Sequence, residues 1–335
     1  VFTPHVALEL AVHRVGLAQD GQVDVDQPLG IAGRRRCDVP GVEHMLLHGI
    51  GQAGRQWLAA QEARGPLGAA GFVVAAPRPV DGVVVPQGQF HGQRVGQVRA
   101  HGLQMAQAGV QADFIRLHHQ PDGHFPAGVP NPMLPENRQA TRQAVIAHQA
   151  DFGIAWDGDF DRCFFFDEQG ELIESYYLVG LFAHHFLQRF PTSPVILDPR
   201  LTWNTLEMVT RCGGHPIISK TGHAFIKARM REEDAVYGGE MSGHHYFRDF
   251  GYCDSGMIPL VLLLQIIGSD SRPVSAYIEH AQVRFPVSGE INLTVADPQS
   301  VMQSIAAHYL QAGGLRDDCD GLSIDFVDWR FNLRA

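Results

Sequence analysis

The first 111 residues of this chain contain no serine, lysine, asparagine or tyrosine. In soluble domains those four types supply about a fifth of any such stretch, so roughly twenty residues are replaced by other kinds. Gly, Val, Gln, Ala, Arg and His fill their place, and in 88–111 (GQFHGQRVGQVRAHGLQMAQAGVQ) neither a helical nor a strand period persists. High-GC coding would deplete lysine, asparagine and tyrosine but would spare serine. Residues 1–111 therefore read as an atypical segment, out of frame or poorly packed, with a divergent domain as the alternative.

Other absences narrow the function. Cationic residues are scarce, 26 Lys plus Arg against 36 Asp plus Glu, and a net charge of −10 repels phosphate backbones and anionic lipid. Nucleic acid and membrane partners are not expected, and no protein partner is implied. The longest apolar run, 260–267, is interrupted by Gln265 and falls short of the roughly 20 residues of a membrane span. The first fifteen residues carry His5, Glu9, His13 and Arg14 and have no secretory pattern, so the expected location is cytoplasmic. Cysteines 37, 163, 212, 253 and 319 form no Cys-x-x-Cys pair and suit a reducing compartment.

What is there begins near Ala112. FIRLHH (114–119) reads as a strand and 121–137 as a Pro/Gly-rich loop. A short helix over 141–149, strands over 152–156 and 163–167 and a helix over 176–190 follow. A strand–helix rhythm then begins: strands at 195–198, 216–219 and 235–240, helices at 201–211, 223–233 and 255–267. That alternation predicts an α/β chain with doubly wound, parallel or mixed sheets. The expected divisions are 112–190 (metal-loop domain remainder), 191–283 (sugar-binding α/β domain) and 284–335 (truncated C-terminal phosphate-binding domain). The N-terminal third is of doubtful fold.

Ligands of such sheets lie beyond the carboxyl ends of the strands. There the sequence places Arg200, then Lys220, Thr221, Gly222 and His223, then Met241, Ser242, Gly243, His244 and His245. Cations and glycines on one edge suit a polar, phosphorylated ligand. Between two apolar strands stands WDGDFDR (156–162), with Asp157, Asp159 and Asp161 at every second position, an alternation that aims all three carboxylates one way. Two like charges about 4 Å apart repel by about 4 kcal/mol at an effective dielectric of 20. Three of them call for a hard divalent cation, Mg²⁺ by preference. An EF-hand is excluded because Arg162 occupies the glycine position and strands flank the loop.

The segments WDGDFDR (156–162), DPRLTWNT (198–205), KTGHAFIK (220–227), GGEMSGHHYFRD (238–249) and DWRFNLRA (328–335) resemble, in order, motifs of the α-D-phosphohexomutases. GEMSGHHYF is most similar to the bacterial phosphomannomutase branch. The resemblance covers 112–335 and implies interconversion of mannose 6-phosphate and mannose 1-phosphate through a phosphoserine and Mg²⁺. That reaction feeds GDP-mannose and exopolysaccharide synthesis. By the same resemblance Asp157, Asp159 and Asp161 hold Mg²⁺, Arg162 steadies the phosphoryl group, and Arg200 stands as the catalytic basic residue near the metal loop. Thr221, Gly222 and His223 line the sugar-phosphate cleft, Glu240 and Ser242 bind sugar hydroxyls, His244 lies close by, and Arg334 opens a phosphate-binding loop.

Two features depart from the pattern. No serine precedes Ser175, so the Thr-Ala-Ser-His-Asn-Pro nucleophile loop is absent, and the expected Ser-Asn-Thr stretch does not follow Arg334. The expectation for this polypeptide is little or no mutase turnover. The rivals are a phosphoglucomutase, because Glu240 and Ser242 meet hydroxyls common to both sugars, and a catalytically dead sugar-phosphate or metal-binding protein.

Overall fold

The computed structural model describes residues 6–14, 71–74, 114–118, 130–268 and 272–335. The chain forms two units, 1–16 with 68–335 and, outside the described residues, 17–67. Three five-stranded sheets organise the described unit.

In the first sheet β2 (Gly71–Val74) pairs with β3 (Phe114–Arg116) and β4 (Phe152–Trp156), which continues through β5 (Cys163–Phe166) to β6 (Leu172–Ile173). All its ladders are antiparallel. β4 and β5 are buried at every residue, so they read as unbroken apolar runs without alternation. Helix α1 (Gln139–His148) precedes β4 and ends on Gln149 in the left-handed conformation.

The second sheet carries the strand–helix rhythm. β7 (Pro194–Leu197) lies between β8 (His215–Ile218) and β9 (Tyr237–Gly239), both parallel to it, and α3 (Trp203–Arg211) and α4 (His223–Glu233) make the crossovers. The parallel part stops at β9. A short turn returns the chain as β10 (His245–Phe247), antiparallel to β9, followed by β11 (Cys253–Asp254). A tight connection cannot make a parallel crossover, which needs a dozen or more residues. The helix expected from 255 starts at Ile258, α5 (Ile258–Ile267), because the Ser255 hydroxyl accepts the amides of Met257 and Ile258.

Helix α2 (Ser175–Arg189) packs on this sheet. A Cβ on Gly239 would stand 2.6 Å from Val179 Cγ2, so only glycine admits the helix at that distance. Phe186 stacks on Tyr237 at 5.3 Å, and Phe182 meets Tyr237 and His245 edge-on. Helix α6 (Ser275–Arg284) leads into the third sheet, ordered β12 (Val287–Val295), β1 (Val6–Arg14), β15 (Trp329–Arg334), β14 (Leu322–Asp325) and β13 (Leu315–Asp317). It too is antiparallel, with α7 (Pro298–Gln311) between β12 and β13. Much of the atypical segment lies outside the described residues, yet β1 and β2 both come from it.

Among the described residues no helix is long and apolar enough to cross a membrane. Cys163 is buried, Cys212, Cys253 and Cys319 are half-buried, and all four are free thiols; Cys37 lies outside the described residues.

Candidate functional site

The acidic run leaves β4 at Asp157 and enters a turn, so its carboxylates converge by loop geometry and not by strand alternation. Phe160 takes φ 68° and stacks on Trp156, with ring centroids 5.2 Å apart. Its carbonyl accepts the Gly256 amide at 3.1 Å, and Trp156 Nε1 donates to the Gly256 carbonyl at 2.6 Å. This anchorage folds the loop back on itself. One oxygen from each of Asp157, Asp159 and Asp161 then lies within 4.8 Å of the others.

Asp157 is buried, and desolvation, with the charges of Asp161 and Asp159 adding, pushes its carboxyl up to about 6 against the pull of Arg162. Arg162 grips it twice, Nε donating to Oδ2 at 2.6 Å and the backbone amide to Oδ1 at 3.3 Å. Asp161 Oδ1 is shut off from solvent without a hydrogen-bond partner. A carboxylate oxygen that makes no hydrogen bond and has Arg162 Nε as counter-charge only at 3.8 Å, a neighbour driven toward protonation and an all-oxygen donor set fit a hard divalent cation. A second group, Asp161, His244 and Asp254, is also close-set, but the Lys227 ammonium already neutralises Asp254 at 2.6 Å.

The turn between β9 and β10 is brought onto this loop. Arg162 and His244 form an antiparallel bridge, and the Cys163 amide donates to the Gly243 carbonyl at 3.2 Å. Gly243 has φ 93°, and a Cβ there would meet the Cys163 carbonyl at 3.0 Å. His244 Nε2 stands 3.6 Å from Asp161 Oδ2, and Nδ1 stands 3.1 Å from Ser242 Oγ and 4.0 Å from Glu240 Oε1. Burial lowers the affinity of this imidazole for a proton, but the Asp161 bond and the Glu240 and Asp161 charges outweigh it and raise the pKa. The same His244 bond draws Asp161 down.

Glu240 is buried and accepts the Tyr246 hydroxyl at 2.5 Å. Arg200 lies beneath it, Nη2 3.6 Å from Glu240 Oε2, while its Nε donates to both oxygens of Asp198 at 2.9 Å. Arg200 is therefore a buried counter-ion of the sugar-loop carboxylate, two contacts removed from the acidic trio. Its backbone carbonyl accepts Arg330 Nη1 at 2.6 Å, as does that of Pro199 at 2.9 Å, which ties β15 to this loop.

Thr221 stands at the head of α4, its hydroxyl and amide both donating to Asp320 Oδ2. Gly222, at φ 103°, and His223 are exposed beside it. Arg334 Nε lies 3.5 Å from the same Asp320 oxygen. The structure thus brings Asp157, Asp159, Asp161, Arg162, Ser242, His244 and Glu240 into one cluster, joins Arg200 to it from below, and couples Thr221 to Arg334 through a residue the sequence did not flag. Asp198, Tyr246, Asp320 and Arg330 were missed. Asp198, the polar end of an apolar strand, and Tyr246 and Arg330, each inside a quoted motif, left a signal; Asp320 left none.

Comparison with known proteins follows this geometry. The model of phosphoglucomutase/phosphomannomutase alpha/beta/alpha domain III matches residues 174–285, and that of domain II matches 98–170. A phosphomannomutase of Escherichia coli is 57% identical over 230 residues, 69% of this chain and 50% of its own length. A Xanthomonas campestris phosphohexose mutase is 56% identical over 223 residues, again 50% of its own length. The chain spans about half the length of the curated relatives it matches. A crystal structure of a phosphoglucomutase/phosphomannomutase family protein from Burkholderia thailandensis superposes with a TM-score of 0.60 at 26% identity, covering 78% of this chain and 58% of that one. The sheets, the converging loops and these matches agree: the chain belongs to the phosphoglucomutase/phosphomannomutase family of α-D-phosphohexomutases.

Proposed function

We propose that this chain carries the metal loop and sugar-recognition domain of a phosphomannomutase, which interconverts mannose 6-phosphate and mannose 1-phosphate for nucleotide-sugar and polysaccharide synthesis. The observation that carries this reading is the position of His244, 3.6 Å from the acidic trio and 3.1 Å from Ser242, which unites a cation-binding and a polyol-binding group in one cleft. The relatives named phosphomannomutase support mannose as the sugar. The division into 112–190, 191–283 and 284–335 belongs to the same reading.

Asp157, Asp159 and Asp161 would hold Mg²⁺, which when bound neutralises charge on a transferring phosphoryl group. Arg162 adds a guanidinium on the same side. Glu240, fixed by Tyr246 and Arg200, presents an acceptor to sugar hydroxyls, and Ser242 presents a donor and acceptor. His244 holds a proton between Asp161 and Ser242. Thr221, Gly222, His223 and Arg334 serve the phosphate end. No serine precedes Ser175, so the first 174 residues hold no phosphoserine nucleophile, and this polypeptide should show little or no mutase turnover in a coupled assay.

Calorimetric titration of mannose 1-phosphate with Mg²⁺ tests the reading. Glu240→Gln should weaken binding at least tenfold, about 1.4 kcal/mol. Undiminished affinity in that variant would sink the assignment of the sugar loop.

A further inference from the structure

Asp320 sits in the turn between β13 and β14, and a single one of its oxygens, Oδ2, gathers three donors. They are the Thr221 amide, the Thr221 hydroxyl and, at 3.5 Å, Arg334 Nε. A backbone amide at a helix start, a hydroxyl and a guanidinium are the donor set of an oxyanion site. The anion now filling it belongs to the protein. Asp320 is itself buried and braced, since Asn332 Nδ2 donates to its backbone carbonyl at 2.8 Å and to Ser323 Oγ at 2.9 Å. Gly321 after it takes φ +76°, and a Cβ there would lie 2.2 Å from the Leu333 carbonyl, so the turn admits no other residue without shifting. The carboxylate is thus delivered to Thr221 by a rigid turn of the third sheet.

We infer that Asp320 is an internal competitor for the phosphate subsite formed by Thr221 and Arg334, and that a phosphate monoester binds there by displacing it. This rests on the proposed function, which gives Thr221 and Arg334 to the phosphate end. One oxygen cannot share these donors with a dianionic phosphate, because two anions on the same three donors repel. Loading the subsite therefore releases the β13–β14 turn from α4. The apparent affinity for phosphate is reduced by the fraction of time the turn is open, since only the open form is competent to bind.

Inorganic phosphate and mannose 1-phosphate are titrated into the full chain and into Asp320→Asn, with amide hydrogen exchange followed at 220–223 and 315–322. Asp320→Asn should bind both ligands ~10-fold more tightly, as for a turn that is closed about nine-tenths of the time. In the unsubstituted chain saturating phosphate should protect 220–223 and accelerate exchange at 315–322. Equal or weaker binding by a folded Asp320→Asn overturns the inference. If that variant does not fold, the unsubstituted chain decides: protection of both segments together means Asp320 stays in place, and no protection at 220–223 means there is no anion subsite. Either overturns it. Tight inorganic phosphate in Asp320→Asn with no preference for mannose 1-phosphate would leave the competitor standing and defeat the hexose-phosphate reading instead.

Discussion

Two groups of carboxylates lie side by side in this molecule and meet opposite fates. Asp198 is buried, yet Arg200 holds it below the usual carboxylate range, the guanidinium outweighing the cost of desolvation. Asp157 is buried to a similar degree, but desolvation and two like-charged neighbours prevail over a single arginine and lift it to about 6. The first group is neutralised by its own scaffold and the second is left short of positive charge. Burial alone therefore does not tell a structural carboxylate from a ligand; the local balance of charge does.

The sharpest way to break the contrast is to remove the scaffold's cation. Arg200→Met strands Asp198 and Glu240 without their shared partner, and the loss should be about 3–5 kcal/mol of unfolding free energy in denaturant titration. Asp157→Asn, which relieves repulsion, should leave the metal-free protein no less stable in the same measurement. If the two variants lose equally, the distinction between the groups fails.

Adding the missing cation sharpens it next. Mg²⁺ at a hundredfold excess over its dissociation constant should raise stability by about 2.7 kcal/mol. Asp159→Ala should abolish that gain in calorimetry and thermal unfolding. Persistence of the gain in Asp159→Ala would place the cation elsewhere.

The effect that is smallest near neutral pH, and grows only on acidification, concerns two adjacent imidazoles that repeat the contrast. The Asp161 bond and the Glu240 charge raise His244, while burial lowers its neighbour His245 to about 3. His245 is buried against Phe182 and bonded through Nδ1 to Tyr237 at 2.6 Å. Its folded pKa lies below the unfolded value of 6.5, so the unfolded chain takes up the proton first. Stability should fall as pH drops below 6.5, by about 1.4 kcal/mol per unit between the two values. Replacing it by Asn should flatten this part of the acid-unfolding profile, and an unaltered slope would assign the acid sensitivity to another group.

Much of this was legible in the sequence where the signal is local. The apolar runs of β4 and β5 announce strands because both faces are buried, and helix α4 was placed at its observed bounds. The acidic run and the sugar loop were visible as patterns of residue types. The third sheet was not read, because β13 is fully exposed and β12 has no buried residue, and neither carries a clear alternation. Nor could spacing show that Asp157, Asp159 and Asp161 meet through a turn pinned by the Trp156–Phe160 stack.

By itself the sequence determined which chemistry was present: three carboxylates in five residues, a glutamate–serine–histidine loop, strands alternating with helices, and the motifs that mark the family. Those are properties of short stretches, set by residue type and period. Only the tertiary structure decided which groups neutralise one another. Arg200 belongs to Glu240 and Asp198, and Asp320 belongs to Thr221, 99 residues away along the chain. Charge acts through space over a few ångströms, and the fold alone sets those distances.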